Sequence, residues 1–181
     1  MPEAGFKAAL RAFTDERKCS SATVERWLAL DANDGRALLD LAQELRLGEN
    51  QLRDLWEWTE EVAHRDGLPL AQVLTGEPVA VARRARNIGR SDKLKRIKAA
   101  LRRLRFPQLS ATEDRLAGLV RQLDLPRNVR LSFPEFLEGD AVRIEIVADN
   151  LASLQTAAQR LRAAAESTAC KALFALLAEA P

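Results

Sequence analysis

Residues 126–150 decide the fold class, and their sequence is PRNVRLSFPEFLEGDAVRIEIVADN. Apolar and polar side chains alternate twice in this stretch, first around Leu131 and then around Ile144. A period of two residues is typical of a strand with one buried face. The intervening Gly139-Asp140 pair suits a turn. The sequence therefore predicts two short antiparallel strands.

Helical periodicity surrounds these strands. Leu52, Leu55 and Val62 recur at helical spacing, which predicts an amphipathic helix that ends near Gly67. Further helices are predicted on both sides of the strands. The chain is therefore expected to have an α+β, mainly α, fold with a two-stranded antiparallel sheet.

Two capping signals predict where the helices beside the strands begin. Ser110 and Glu113 are spaced as a capping box, which predicts a helix start at Ser110. Asp149-Asn150 supplies an N-cap for a helix after the second strand. The residues of that helix predicted to face inward are Leu151, Leu154, Ala158 and Leu161.

Three segments are predicted along the chain. A helical module (residues 1–76) precedes a basic amphipathic helical connector (77–107), and an α-β-β-α-α unit (108–181) follows. An isolated pair of strands is marginally stable in water and leaves its edges unpaired. We therefore predict that the last segment forms a homodimer.

The positive charge of the chain is concentrated in residues 83–105. This segment has eleven basic residues and one acid, a net of about +10, whereas the whole chain nets +2, so the remainder is close to −8. Such a block attracts polyanions, of which nucleic acid is the commonest. An acidic protein surface, an anionic membrane or a merely solvated helix face are the alternatives. The predicted DNA contacts here are Arg83, Arg84, Arg86, Arg90, Lys93, Lys95, Arg96, Lys98, Arg102, Arg103 and Arg105.

An acidic segment of the same chain is a candidate partner for this basic one. Residues 31–66 contain ten acidic and four basic residues. Because the charges are opposite, these residues could dock on residues 83–105 and mask them. This hypothesis predicts that deletion of residues 1–75 tightens DNA binding.

Residues 41–55 resemble a helix-turn-helix. Ala42 allows close helix packing, and Leu45 and Leu47 bracket the turn. Arg46, however, stands where this motif usually has glycine, and the second helix carries several carboxylates that phosphates would repel. The segment is therefore either a DNA-reading motif or a helical hairpin that only packs.

The sequence gives little support for catalysis. His64 is the only histidine, and Cys19 and Cys170 have no metal-ligand spacing around them. No apolar run is long enough to span a membrane, and no signal-peptide pattern begins the chain. We therefore predict no enzymatic activity, cofactor, metal or membrane partner. Reduced thiols and a cytoplasmic, nucleoid-associated location are expected.

Residues 112–165 resemble the dimerisation domain of ParB-type chromosome- and plasmid-partition proteins. The likeness rests on a leucine-rich helix, on the two strands around Leu131 and Ile144, and on the helix after Asn150. An upstream helix-turn-helix is also the family's order. The resemblance does not include the family's N-terminal nucleotide-binding domain, so CTP binding and spreading are not implied.

This resemblance implies roles for particular residues. In that family the unit pairs two chains through strands and helices, and basic residues beside the sheet hold DNA. The implied interface or core residues are Val142, Ile144, Ile146, Leu151 and Leu154. The implied phosphate contacts are Arg127, Arg130 and Arg143.

The predicted function is therefore non-catalytic DNA binding by a homodimer, in regulation or in genome organisation and partition. If six to eight phosphates are neutralised, the log–log salt slope should be about −5 to −7. The alternative is an interaction adaptor, or a regulatory subunit of an enzyme, that docks on an acidic protein. Trp58, expected to be exposed at the edge of its helix's apolar stripe, fits that alternative.

Overall fold

The computed structural model describes residues 3–139 and 141–179, and it is mainly helical with one two-stranded antiparallel sheet, as predicted. Asp140, expected in the turn between the strands, lies outside the described residues. The elements are α1 (Glu3–Arg17), α2 (Ser21–Leu28), α3 (Ala32–Leu45), α4 (Glu49–Asp66), α5 (Leu70–Thr75), α6 (Glu77–Arg84), α7 (Arg90–Arg105), α8 (Pro107–Gln122), β1 (Val129–Ser132), β2 (Arg143–Ile146), α9 (Leu151–Glu166) and α10 (Thr168–Ala178). A 3-10 turn, Glu135–Leu137, lies between the strands. Contacts divide the chain into two compact units, Met1–Arg105 and Phe106–Pro181.

Two tryptophans lie at the centre of the first unit. Trp27 and Trp56 are fully buried, with ring centroids 5.8 Å apart. The Trp27 indole N–H donates to the carbonyl of Gly35 at 3.1 Å, so its polar atom is satisfied inside the core. Leucines of α1, α3 and α4 complete this core, and they include Leu10, Leu38, Leu41, Leu52 and Leu55.

A three-residue turn joins α3 to α4. Arg46 ends α3 in the left-handed conformation, with φ 47° and ψ 50°. The N–H of Leu47 donates to the carbonyl of Ala42 at 2.9 Å, and the Leu47 side chain is fully buried. Arg46 thus takes the backbone position that glycine usually fills at a helix end. Burial of Leu47 holds the turn despite the strain of a non-glycine residue there.

The basic segment, residues 83–105, comprises the end of α6, a short link and all of α7, and it belongs to the first unit. α6 ends at Arg84, and α7 begins at Arg90. Ile97 and Leu101 of α7 are fully buried in the same core as α3 and α4. Because full burial of such a side chain contributes about 1.5–3 kcal/mol, α7 stabilises this unit. The arrangement differs from the predicted connector of residues 77–107.

The second unit contains the predicted pair of strands. β1 and β2 are antiparallel, with Leu131 opposite Ile144 and Arg130 opposite Glu145. Leu131 is one of the half-buried residues that pack against the core of this unit. That core comes mostly from α8 and α10, and its buried leucines are Leu116, Leu123, Leu137, Leu173, Leu176 and Leu177.

The helix before the strands begins earlier than its capping box predicts. α8 starts at Pro107, whose fixed φ and missing N–H suit the first turn of a helix. Ser110 therefore lies inside α8, with a buried hydroxyl that has no hydrogen-bond partner among the described residues. The capping-box prediction is wrong. The Asn150 prediction is confirmed, because its Oδ1 accepts from the Ser153 N–H at 2.8 Å.

The leucines of α9 are less buried than predicted. Leu151 is 69% exposed and Leu154 is 45% exposed, and Ala158 is exposed as well. α9 instead buries Ala157 and Ala164. The predicted inward stripe is therefore wrong for Leu151, Leu154 and Ala158, whereas Leu161 is half-buried, and Ala164 belongs to the core of the second unit.

Candidate nucleic-acid interface

Six of the eleven predicted basic residues are exposed to solvent. We call this set the exposed basic surface, and its members are Arg84, Arg86, Arg90, Lys95, Arg96 and Arg103. Arg84 pairs with Glu77 at 3.1 Å and Lys95 with Asp92 at 3.8 Å, but both pairs are solvent-exposed and contribute little. Arg86, Arg90 and Arg96 form no ion pair within the described part of the chain. Arg86, Arg90 and Arg96 are therefore exposed cations that an anion could reach.

Four other basic residues pair with carboxylates of α3 and α4. Arg83 Nη2 and Lys93 Nζ lie 2.9 and 3.0 Å from the two oxygens of Glu44. Lys98 Nζ lies 2.9 Å from Asp54 Oδ2. We call Arg83, Lys93, Lys98 and Arg105 the flanking cations.

Arg105, the last flanking cation, makes a two-pronged contact with Glu61. Its Nη2 donates to Glu61 Oε1 at 2.9 Å, and its Nε donates to Oε2. Such bidentate arginine–carboxylate pairs combine charge with fixed geometry. We call Glu44, Asp54 and Glu61 the pairing carboxylates. The predicted docking of residues 31–66 on residues 83–105 is thus present in the first unit.

Trp58 lies beside Lys98 and Arg105, and it is not exposed as the sequence predicts. It is half-buried and packs against the core that contains α7 residues. Lys98 Nζ is 5.6 Å and the Arg105 guanidinium carbon is 5.7 Å from its ring centroid. Cations at this distance from an aromatic face are attracted to it. Trp58 is therefore occupied within the chain, and the expectation of an exposed tryptophan is wrong.

The sequence contains a signal for this pairing. Asp54 and Glu61 are seven residues apart, and so are their partners Lys98 and Arg105. Seven residues are close to two helical turns, so each set recurs on one helix face. A count of charges along the sequence finds the acidic segment. The seven-residue spacing common to the acidic and the basic residues indicates which side chains pair.

Several carboxylates of the α4 helix contact neighbouring helices. Its first residue, Glu49, accepts from the hydroxyls of Ser20 and Thr23, both at 2.6 Å. Farther along, Glu60 pairs with Arg26, whose guanidinium carbon lies 4.4 Å from the Trp56 ring centroid. α2 thus contacts the start of α4 and α7 its side, while Asn50, Gln51, Arg53 and Glu57 of α4 remain exposed.

Ion pairing changes the titration of the pairing carboxylate Glu44. Partial burial by itself would raise the pKa of Glu44. Hydrogen bonds from Lys93 and Arg83, together with their positive charges, outweigh burial and lower that pKa below its ordinary value. Glu44 is thus held in its ionised form by the basic segment.

The second unit has its own exposed arginines. Arg127, Arg130 and Arg143 are solvent-exposed. Arg130 lies opposite Glu145 in the strand register, and Arg143 is two residues from Glu145 on the same face of β2. A carboxylate thus lies among the strand arginines, and they form a weaker positive surface than α7.

Four exposed apolar residues lie at β2 and α9, and we call this set the exposed apolar surface: Ile144 of β2, Val147 directly after it, and Leu151 and Leu154 of α9. They are 45%, 55%, 69% and 45% exposed, respectively. Val142 and Ile146, also predicted at a dimer interface, are half-buried. Asn128 Nδ2 donates to the Val147 carbonyl at 2.9 Å and to Ser153 Oγ at 3.3 Å, which joins the end of β2 to the start of α9. Val147 is the member of this surface that sequence analysis missed.

The sole histidine lies beside an open cleft of about 700 Å³. His64 is exposed, and the cleft carboxylates Glu60 and Glu61 are already paired with Arg26 and Arg105. Within residues 3–139 and 141–179, no group of three or more potential ligands could hold a metal ion. In the same ranges, no helix is long and apolar enough to cross a membrane.

Comparison of the chain with family models, with curated proteins and with solved structures finds no match.

Proposed function

We propose that this protein is a non-catalytic DNA-binding protein that contacts phosphates through its exposed basic surface. The observation that carries the proposal is the set of six exposed basic side chains on α6, α7 and the segment between them. Lysine and arginine contacts of this kind position a protein on DNA without reading its sequence. We therefore expect little sequence preference and a role in regulation or genome organisation.

The proposal assigns no base-reading role to α4. Its carboxylates would repel phosphates, and α7 packs along it. Affinity should therefore come from counterion release on the basic surface and fall steeply with salt. With six exposed cations, the expected log–log slope is near −5.

We further propose that the DNA-binding species is a homodimer joined through β2 and α9. β2 pairs only with β1 among the described residues, so its other edge is unpaired. Ile144 of the exposed apolar surface belongs to β2 itself, and a soluble monomer would leave this set of apolar side chains in water. A second copy would pair the edge and bury the apolar surface in one step.

The charges of β2 favour a second copy of this chain as the occupant. In an antiparallel pair of β2 strands centred on Ile144, Arg143 of each chain lies opposite Glu145 of the partner subunit. Both charges of each strand are then matched by the same symmetry operation. A dimer would also carry two basic surfaces, which strengthens binding to one DNA molecule. The resemblance of residues 112–165 to a ParB-type dimerisation domain agrees with this arrangement.

Fluorescence anisotropy with random and AT-rich duplexes over a range of salt tests the proposal. The variant R86A/R90A/R96A removes three cations that form no ion pair with any residue that the structure describes. It should lose at least about tenfold in affinity, and its salt slope should become shallower by about 3. The matched control R11A/R53A/K171A also removes three exposed basic residues, but from outside this surface, and should bind nearly as tightly as the wild type.

Two outcomes would contradict the proposal. Equal losses in the two triple variants would mean that only net charge matters. Absence of binding at low salt would favour the adaptor alternative, in which the basic surface docks on an acidic protein. Trp58 no longer supports that alternative, because Lys98 and Arg105 occupy its ring.

A further inference from the structure

We propose that the pairing carboxylates, Glu44, Asp54 and Glu61, compete with DNA for the flanking cations and thereby hold the DNA affinity of this protein down. This inference rests on the proposed function, and it assigns a regulatory role to one side of the same site. The carboxylates act as phosphate substitutes supplied by the chain itself.

The geometry gives each flanking cation a choice between a carboxylate and an incoming phosphate. The four side chains remain 22–30% exposed, so DNA can approach them. Their polar atoms nevertheless lie 2.9–3.0 Å from carboxylate oxygens, the distance of a charge-assisted hydrogen bond. A phosphate oxygen must therefore displace a carboxylate to reach them.

The flanking cations also border the exposed basic surface. Lys93 and Lys98 are on the same helix as the exposed Lys95 and Arg96. DNA that binds the exposed residues is therefore brought next to the paired ones. The carboxylates lower the positive potential at this border, because each adds a negative charge beside the cation that it binds.

The competition takes place between side chains, without release of the helix. Ile97 and Leu101 anchor α7 in the core of the first unit, where both are fully buried. Deletion of residues 1–75 would expose these side chains and remove most of that core. Neutralisation of the carboxylates leaves the packing in place and is the sharper test.

The test compares E44Q/D54N/E61Q with the control E25Q/D40N/E57Q by anisotropy with a random duplex. Both variants lose three negative charges, but Glu25, Asp40 and Glu57 are exposed and pair with no described basic residue. The first variant should bind at least about tenfold tighter than wild type, and its salt slope should steepen by up to about 3.6 as four cations become available. The control should tighten binding by less than about threefold, through net charge alone.

Each outcome decides the inference. An equal gain in both variants, or no gain in the first while wild type binds DNA, overturns the competition and leaves the proposed function standing. Failure of the wild type and both variants to bind at low salt overturns both proposals. Thermal melting verifies that the variants fold. If the triple variant does not fold, the single variant D54N replaces it, because the Asp54 side chain is 54% exposed. D54N should tighten DNA binding by about threefold, and unchanged binding overturns the inference.

Discussion

Replacement of Leu151 by glutamate should convert the proposed dimer into a monomer. Leu151 is the most exposed member of the apolar surface, at 69%. It is the first residue of α9, five residues after the end of β2. A carboxylate at this position remains solvated in a monomer but would be buried without a partner in a dimer. The substitution therefore acts on association and leaves the fold of the protomer intact.

The magnitude follows from the exposed fraction of Leu151. Full burial of a leucine side chain contributes about 1.5–3 kcal/mol, so burial of the exposed part contributes about 1–2 kcal/mol. In a twofold dimer the loss occurs twice and reaches about 2–4 kcal/mol, before any cost of the buried carboxylates. The dimer Kd should rise by roughly 30- to 700-fold.

Sedimentation velocity at several micromolar concentrations measures this change. Wild type should sediment as a dimer, and Leu151→Glu as a monomer with an unchanged circular dichroism spectrum. Val81→Glu is the matched control, because Val81 is 58% exposed but belongs to α6 in the first unit. A monomeric wild type, or a Leu151→Glu protein that remains dimeric, would refute the reasoning.

Two further predictions concern the first unit. Leu101→Ala should lower the free energy of unfolding by about 2–5 kcal/mol in urea denaturation, because α7 is part of the core. The surface control Lys95→Ala should lower it by less than about 0.5 kcal/mol. Equal small effects would mean that α7 does not stabilise the unit. The lowered pKa of Glu44 adds stability above the ordinary carboxyl range, and this stability is lost as the pH falls below about 4. The stability difference between wild type and Glu44→Gln should therefore shrink on acidification, and a difference independent of pH would contradict the Glu44 assignment.

Secondary structure could be predicted from local pattern. The alternation around Leu131 and Ile144 predicts β1 and β2, and Asn150 predicts the start of α9. These predictions succeed because the direction of each side chain follows from the period of the backbone. The capping box at Ser110 fails because Pro107 offers an earlier start that suits a first turn equally well.

Burial was harder to predict than periodicity. Leu151 and Leu154 have helical spacing, yet α9 packs through Ala157 and Ala164. A hydrophobic stripe shows that a surface needs a partner, but it does not say whether that partner is in the same chain. The proposed dimer would supply the partner for the exposed leucines.

Sequence by itself determined the mainly helical fold, the paired strands and the concentration of positive charge, since each depends on residues close together in the chain. Only the tertiary structure decided which of those charges meet carboxylates and which face solvent. Lys98 pairs with Asp54 across 44 positions because the docking of α7 brings them together. Contacts at such separation depend on how whole helices pack, which local spacing does not specify.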